Sequence, residues 1–340
     1  MLDPRKKKIL GAVIDIYTET GEPVGSKALC TKLDIPLSPA TVRKEMSDLI
    51  TDGYLVQPHT SAGRIPTAMG YRTYIDDMML APELNENQKQ AIRNLFPKAC
   101  EPEKLLEIAA HELANITNCT VFASVPGGKD TKIRKIEIVS MGKRAAMLVV
   151  VTGTGIIKTR FLYGFSGLTE EFCNQFSGFA NKLLCGKKLT DISREMLNQI
   201  ALMLPDHILT VAPVLSEFGQ LIEEASQSVV KLDGEANMFT HKEIDSNEAK
   251  DILEVLTKQE TINEIVKAKN EVLSVLIGEE TSYYQLKGAS VVMRSYSLRD
   301  GNKGEIGIIG PVRMNYPEMI SNIDYFAKIL GDIYDDVLEE

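Results

Sequence analysis

Tryptophan is absent from this chain of 340 residues, histidine occurs four times, and the five cysteines are an odd, scattered set. Each shortage excludes something. Cys30, Cys100, Cys119, Cys173 and Cys185 contain no C-x-x-C pair. Their spacing suits neither a disulfide framework nor a zinc site and points to reduced thiols in a cytoplasmic protein. His59, His111, His207 and His241 are dispersed and no nucleophile motif accompanies them, so neither an enzyme nor a bound metal or cofactor is expected. No apolar run approaches the roughly 20 residues of a membrane-spanning helix, and no membrane partner is expected. Arg5-Lys6-Lys7-Lys8 followed by residues 9–14 imitates a secretory leader, but Asp15 and Glu19 break the run and no small-residue cleavage site follows.

Positive charge is also scarce, the formal net charge being -9. Its distribution is uneven. Residues 1–72 hold ten Lys or Arg against eight Asp or Glu, while the remainder holds 28 against 39. A net of +2 at the front and -11 behind it leaves only the front suited to approach phosphate.

What the front contains is three capped helices and a hairpin. Asp3-Pro4 reads as an N-cap with proline in the first turn, and Ile9, Val13, Ile16 and Tyr17 recur at helical spacing until Gly21. Gly25-Ser26 begins a short second helix carrying Ala28, Leu29 and Leu33, followed by a turn over 34–37. Ser38-Pro39 opens a third, in which Val42, Met46, Leu49 and Ile50 share one face. Its outward face then carries Ala40, Lys44, Ser47 and Thr51, with Thr41 and Arg43 on the flanks. Taken alone, a polar outer face is what any amphipathic helix shows. The short helix, turn and capped second helix around it make the helix-turn-helix arrangement, whose second member enters the major groove.

A strand over 54–57, a polar tip over 58–63 and a return over 64–67 read as a hairpin wing, with His59 and Arg64 near the tip. Ser38, Thr41, Arg43, Lys44, Ser47, His59 and Arg64 are the candidate DNA-binding residues. Thr41, Arg43, Lys44 and Ser47 would meet bases or adjacent phosphate, and Ser38 would both cap the helix and meet phosphate. Arg64 would add electrostatic affinity; His59 fits a solvated loop as well as a contact. Thr67 caps a helix with Tyr71, Tyr74, Ile75, Met78 and Met79 packed on this unit.

Beyond a linker marked by Ala81-Pro82 and the polar run 85–88, a helix over 105–116 precedes a strand over 120–125 closed by 126–128. Strands over 133–139, 145–151 and 156–163 form a meander, in which Gly153-Thr154-Gly155 is a hairpin turn and lacks the full phosphate-binding glycine pattern. Residues 168–224 turn helical, with an apolar stripe of Phe172, Phe176, Phe179, Leu183 and Leu184. Strands resume over 271–277, 290–298 and 304–309, and a last helix over 316–334 faces inward with Ile320, Ile323, Phe326 and Leu330. A helix-rich block between strand-rich blocks reads as an insertion, and its surplus apolar surface is where a dimer contact would lie.

The run 53–76, GYLVQPHTSAGRIPTAMGYRTYID, resembles the wing and following helix of the heat-inducible transcription repressor family HrcA. GEPVGSKAL and LSPATVRKEMSDL resemble that family's helix-turn-helix, and LDGEANMF, VLIGEE and GEIGIIGPVRMNY its C-terminal region, all in matching order. The resemblance implies an α+β multidomain chain: an N-terminal winged helix-turn-helix (1–80), a linker (81–102), and a GAF-like α/β domain (103–165 and 251–340) split by an inserted dimerising domain (166–250). It further implies a homodimer that binds an inverted-repeat operator in double-stranded DNA before chaperone operons. The GroE chaperonin would keep the repressor active, and repression would lapse under heat stress. GAF-like folds often hold small ligands, so 304–316 is a candidate pocket lining and a ligand-responsive regulator is the rival reading. Arg313 there is expected as an exposed or salt-bridged arginine closing the domain.

Overall fold

Asp3 opens the first helix, α1 (Pro4–Thr20), by accepting the Arg5 and Lys6 amides, and Gly21, at φ 71°, ends it with its own N–H on the Tyr17 carbonyl. The architecture that follows comes from a computed structural model, which describes residues 2–33, 37–59, 62–98, 101–125, 131–142, 144–256, 258, 261–262, 264–265, 272–298 and 302–337. Within them the chain is α+β. The expected turn residues 34–36, the hairpin-tip residues Thr60 and Ser61, the strand-closing 126–128, Cys100 and Glu271 lie outside the described residues.

Helices α2 (Ser26–Lys32) and α3 (Pro39–Thr51) pack on α1. Strands β1 (Leu55–Val56) and β2 (Ile65–Pro66) pair antiparallel, and Val24 bridges Arg64 beside them. Thr67 caps α4 (Ala68–Asp77) through the Gly70 amide at 3.1 Å. Ile9, Leu10, Val13, Leu29, Val42, Met46, Leu49 and Tyr71 are all at most 1% exposed, so the apolar periodicity read from the sequence is the inner face of this unit.

The segment expected as linker contains a helix, α5 (Glu86–Arg93). Asn85 and Gln88 exchange side-chain and backbone hydrogen bonds as a capping box, and Ile92 and Phe96 are buried. The polar run that suggested a linker is therefore a helix start. Helix α6 (Pro102–Thr117) leads through Asn118, at φ 53°, into β3 (Thr120–Val125).

Strand β3 sits inside a five-stranded antiparallel sheet with β7 (Val229–Asp233), β8 (Leu273–Ile277), β9 (Ala289–Ser297) and β10 (Lys303–Pro311), ordered β7-β3-β10-β9-β8. Helix α6 and the last helix, α11 (Tyr316–Val337), pack on it with the core that also includes the N-terminal unit. Helix α10 (Ser246–Leu256) belongs to a separate core with Phe122, Leu276, Val291 and Ile309.

The meander forms its own sheet, β4 (Ile133–Gly142), β5 (Ala145–Thr152) and β6 (Ile157–Tyr163), in that order. Its inward residues Ile136, Ile138, Leu148, Val150 and Leu162 share a core with Phe172, Phe176 and Phe218 of α7 (Glu170–Leu184) and α9 (Ile208–Ser226); α8 (Arg194–Leu202) contributes Ile200. This differs from the expected division at 165–166. Alternation within a strand shows that one face is buried but not against what, so the meander was grouped with β3. Likewise β7, expected in the insertion, hydrogen-bonds to β3 from Val121↔Asp233 to Val125↔Val229.

The three-stranded sheet is protected on its β4 side by side chains of α7. Asn181 takes the Ile136 N–H at 2.9 Å and donates to the Ile136 carbonyl at 2.6 Å, while Ser177 takes the Ile138 N–H at 2.9 Å. Polar side chains at i and i+4 thus replace a neighbouring strand and satisfy an edge that would otherwise template pairing. The opposite, outward face of the sheet is apolar toward one end, where Met147 lies opposite Val139 and Phe161 and Ala145 opposite Tyr163, with Phe161 53% and Tyr163 73% exposed, while Lys135, Glu137 and Thr159 make its other part polar. No single helix among the described residues is long and apolar enough to cross a membrane.

Candidate nucleic-acid interface

Helix α3 is fixed from both sides. Val42, Met46 and Leu49 are buried, and Ser38 caps it by accepting the Thr41 amide at 3.1 Å while the two hydroxyls sit 2.9 Å apart. The opposite face is open: Ser38, Ala40, Arg43, Lys44, Ser47 and Thr51 are exposed and Thr41 is half-buried. The Ser47 hydroxyl donates to the Arg43 carbonyl at 3.0 Å and that of Thr51 to the Ser47 carbonyl at 3.1 Å, so both keep lone pairs outward.

The ion pairs of this unit sort its cations. Arg5 pairs with Glu45, Lys6 with Asp52, Lys7 with Asp77 and Lys32 with Glu19. Arg43 and Lys44 form no ion pair among the described residues, and neither do Lys8, Lys27 or Arg64. Most positive charge on α1, α2 and α4 is thereby neutralised, while both cations on the exposed face of α3 stay free of ion pairs among the described residues, as do Lys8, Lys27 and Arg64. Lys27, in the first turn of α2, was passed over in the sequence although the Gly25-Ser26 start that places it was recognised.

Arg64 does not sit at the hairpin tip. Its backbone exchanges two hydrogen bonds of 2.9 Å with Val24, which puts it at the root of the hairpin, next to β2. The side chain is half-buried and its Nε is buried without an acceptor among the described residues. Gly63 makes this close approach possible, because a Cβ there would lie 2.4 Å from the Pro23 carbonyl oxygen. His59 is exposed on the loop, with its carbonyl accepting the Ala62 amide at 2.9 Å. The structure therefore gathers Ser38, Thr41, Arg43, Lys44 and Ser47 on one helix, and puts His59 and Arg64 at different levels of the hairpin.

The candidate ligand stretch behaves otherwise. Residues 306–311 of β10 are buried in the sheet, and Arg313 beyond them lines an open polar cleft of about 370 Å³ with Tyr17, Gly21, His241 and Glu243. Arg313 is ion-paired to Glu243 and donates to the Thr18 carbonyl at 2.7 Å, which makes it the salt-bridged closing arginine that the sequence suggested.

The HrcA protein C terminal domain family model matches residues 103–320. The chain belongs to the HrcA family. It is 34% identical to the heat-inducible transcription repressor HrcA of Acetivibrio thermocellus across 96% of this chain and 95% of that one. The repressor of the same name from Lachnoclostridium phytofermentans is also 34% identical, covering 98% of both chains. A crystal structure of a hypothetical protein superposes with a TM-score of 0.70 at 23% identity over 99% of each chain, a likeness of fold. The HrcA family model begins at α6 and covers both sheets, whereas the HrcA relatives extend the match through α3 and the hairpin.

Proposed function

We propose that the chain is a heat-inducible transcription repressor whose N-terminal unit is a winged helix-turn-helix reading double-stranded DNA through α3. One observation carries this: α3 turns Ser38, Ala40, Arg43, Lys44 and Ser47 outward with both cations free of ion pairs among the described residues, although the unit's other basic residues on α1, α2 and α4 are largely spent in ion pairs. Short side chains allow close approach to base edges, and free cations release counterions from phosphate. Arg64 is half-buried at the hairpin root and forms no ion pair among the described residues, so the exposed part of its guanidinium can add a phosphate contact there.

A single such unit covers only a few base pairs, so specificity in a genome requires two copies on an inverted repeat. The second copy is held by the three-stranded sheet and its helices acting as an inserted dimerising domain, which splits a GAF-like domain built on the five-stranded sheet. Support comes from the outward apolar residues Val139, Met141, Ile157, Phe161 and Tyr163. The operator is an inverted repeat before chaperone genes. The GroE chaperonin keeps the repressor competent, and unfolded clients withdraw it on heating. Footprinting on the chaperonin promoter of the source genome, with and without the chaperonin, tests the reading. Protection of an inverted repeat that strengthens with chaperonin is expected; equal affinity for palindromic and scrambled duplex under both conditions would defeat it.

A further inference from the structure

The N-terminal unit is bolted to the five-stranded sheet at two places. Arg72, on α4, donates from Nη2 to the Val275 carbonyl at 2.6 Å and from Nε to Glu280 Oε1 at 3.0 Å, and a second contact to Glu280 Oε2 completes a fork. Glu280 is itself held in place by accepting the Ile277 amide at 2.9 Å. Arg313, after β10, donates from Nη1 to the Thr18 carbonyl in the last turn of α1 and pairs through Nε with Glu243. Tyr71 of α4 and Tyr316 at the start of α11 meet with ring centroids 5.6 Å apart, both almost wholly buried.

The chain leaving α4 is pinned as well. The Pro82 carbonyl accepts from Ser321 on α11 at 2.5 Å, and Phe96 packs edge-on against Phe326 at 5.8 Å. A free chain from Asp77 to Pro102 would let its ends wander roughly 25–30 Å. That is close to a full turn of B-DNA, about 34 Å, so freely tethered readers would accept many half-site separations. Met78 and Met79 still bond to the Tyr74 carbonyl, so pinning at Pro82 leaves only the short connection 80–81, and a rotation there would swing α3. The two arginines set the angle together with the buried Tyr71–Tyr316 contact, because they tie two different helices of the unit, the end of α1 and the middle of α4, to the sheet.

We propose that Arg72 and Arg313 are positioning residues that set which half-site spacing the dimer accepts. The inference rests on the functional reading above, since it requires two readers on one duplex. Rigid readers gain avidity only where both half-sites fall under them, whereas loosened readers gain a smaller amount over a wider range.

The test starts from inverted repeats selected from a randomised duplex pool with the intact wild-type protein. The spacer of a selected repeat is then lengthened one base pair at a time through half a helical turn, about 5 base pairs. Anisotropy titrations at fixed salt compare the wild type with the Arg72→Ala/Arg313→Ala double variant. They also include Glu243→Gln/Glu280→Gln, which weakens the same clamps from the sheet side and leaves the reader's residues untouched. The wild type is expected to prefer its own spacer by about tenfold or more over the half-turn shift. Both variants should lose most of that preference while binding an isolated half-site as the wild type does. Retention of the wild-type spacer preference overturns the proposal. So does a parallel fall in half-site affinity, because the arginines would then be maintaining the reader's shape. A wild type that ignores paired half-sites altogether defeats the functional reading first, an outcome distinct from variants that match a spacer-selective wild type.

Discussion

At the scale of single residues, the exposed face of α3 carries side chains free to meet a ligand and others that hold the helix itself. Arg43 is exposed and forms no ion pair among the described residues, so Arg43→Ala removes an outward guanidinium without disturbing the inner face. If it meets a base, specific affinity falls by about 1–3 kcal/mol in a titration at fixed salt, with relaxed preference at one operator position. Arg64→Ala should weaken all duplexes alike and reduce the salt slope by about 1, which a series of titrations across salt concentrations would show. Ser38 does two jobs, since its hydroxyl satisfies the Thr41 amide. Ser38→Ala should therefore lower the melting free energy by about 1 kcal/mol in addition to any loss on DNA.

Asp15 illustrates a residue whose ionisation is set by packing. Burial on α1 against Tyr74 raises its carboxyl above the usual range, only partly offset by the Tyr74 hydroxyl that donates to it at 3.1 Å. The same burial pushes the Tyr74 phenol up to about 12. Folding thus favours the protonated carboxyl. Its contribution is complete below the ordinary carboxylate pKa, about 4, and is lost as pH rises through the raised value. Asp15→Asn keeps an oxygen for Tyr74 and removes the charge. Its melting temperature should exceed that of the wild type at pH 7, with the gap closing as pH falls to about 4; an equal gap at both pH values would refute the assignment.

At the scale of elements, much of the local structure was legible. Asp3, Ser38 and Thr67 each cap the helix that the sequence assigned to them, and Gly21 ends α1, because capping chemistry acts within four residues and needs no distant partner. The capping box at Asn85 and Gln88 is a local signal of the same kind, but polarity alone was read there and α5 was missed. Arg64 failed for a different reason. Its place at the hairpin root depends on pairing with Val24, whose distance in sequence hides the contact. The polar teeth of α7 were equally invisible: Ser177 and Asn181 look like ordinary surface residues beside a phenylalanine stripe until β4 is laid against them. Phe176, fully buried between Phe172 and Phe218, should cost about 3–5 kcal/mol when replaced by Ala, measured by chemical denaturation.

At the scale of the whole molecule, the proposed function requires that two readers be held on one operator. Phe161 and Tyr163 stack with centroids 6.0 Å apart on the outward face of the three-stranded sheet, where no described residue covers them fully. If a second copy does, Phe161→Asp should shift the protein from dimer to monomer in sedimentation and cut affinity for the paired operator by about 100-fold, with half-site binding retained. A Phe161→Asp protein that sediments as the wild type would remove this face from the dimer. In such a pair the clamps at Arg72 and Arg313 would transmit its geometry to α3, with the sheets as the frame that holds the N-terminal units.

The sequence by itself determined the helices of the N-terminal unit with their caps, the strand alternation, the sign of charge along the chain and the outward chemistry of α3. These depend on neighbours within a few residues or on composition. Only the tertiary structure decided that the meander makes a sheet of its own, that β7 closes the larger sheet, that Arg64 lies at the root of the hairpin, and that two arginines lock the N-terminal unit in place. The physical reason is common to all four: a pattern of burial or charge says that a partner exists, and long-range packing alone selects which one.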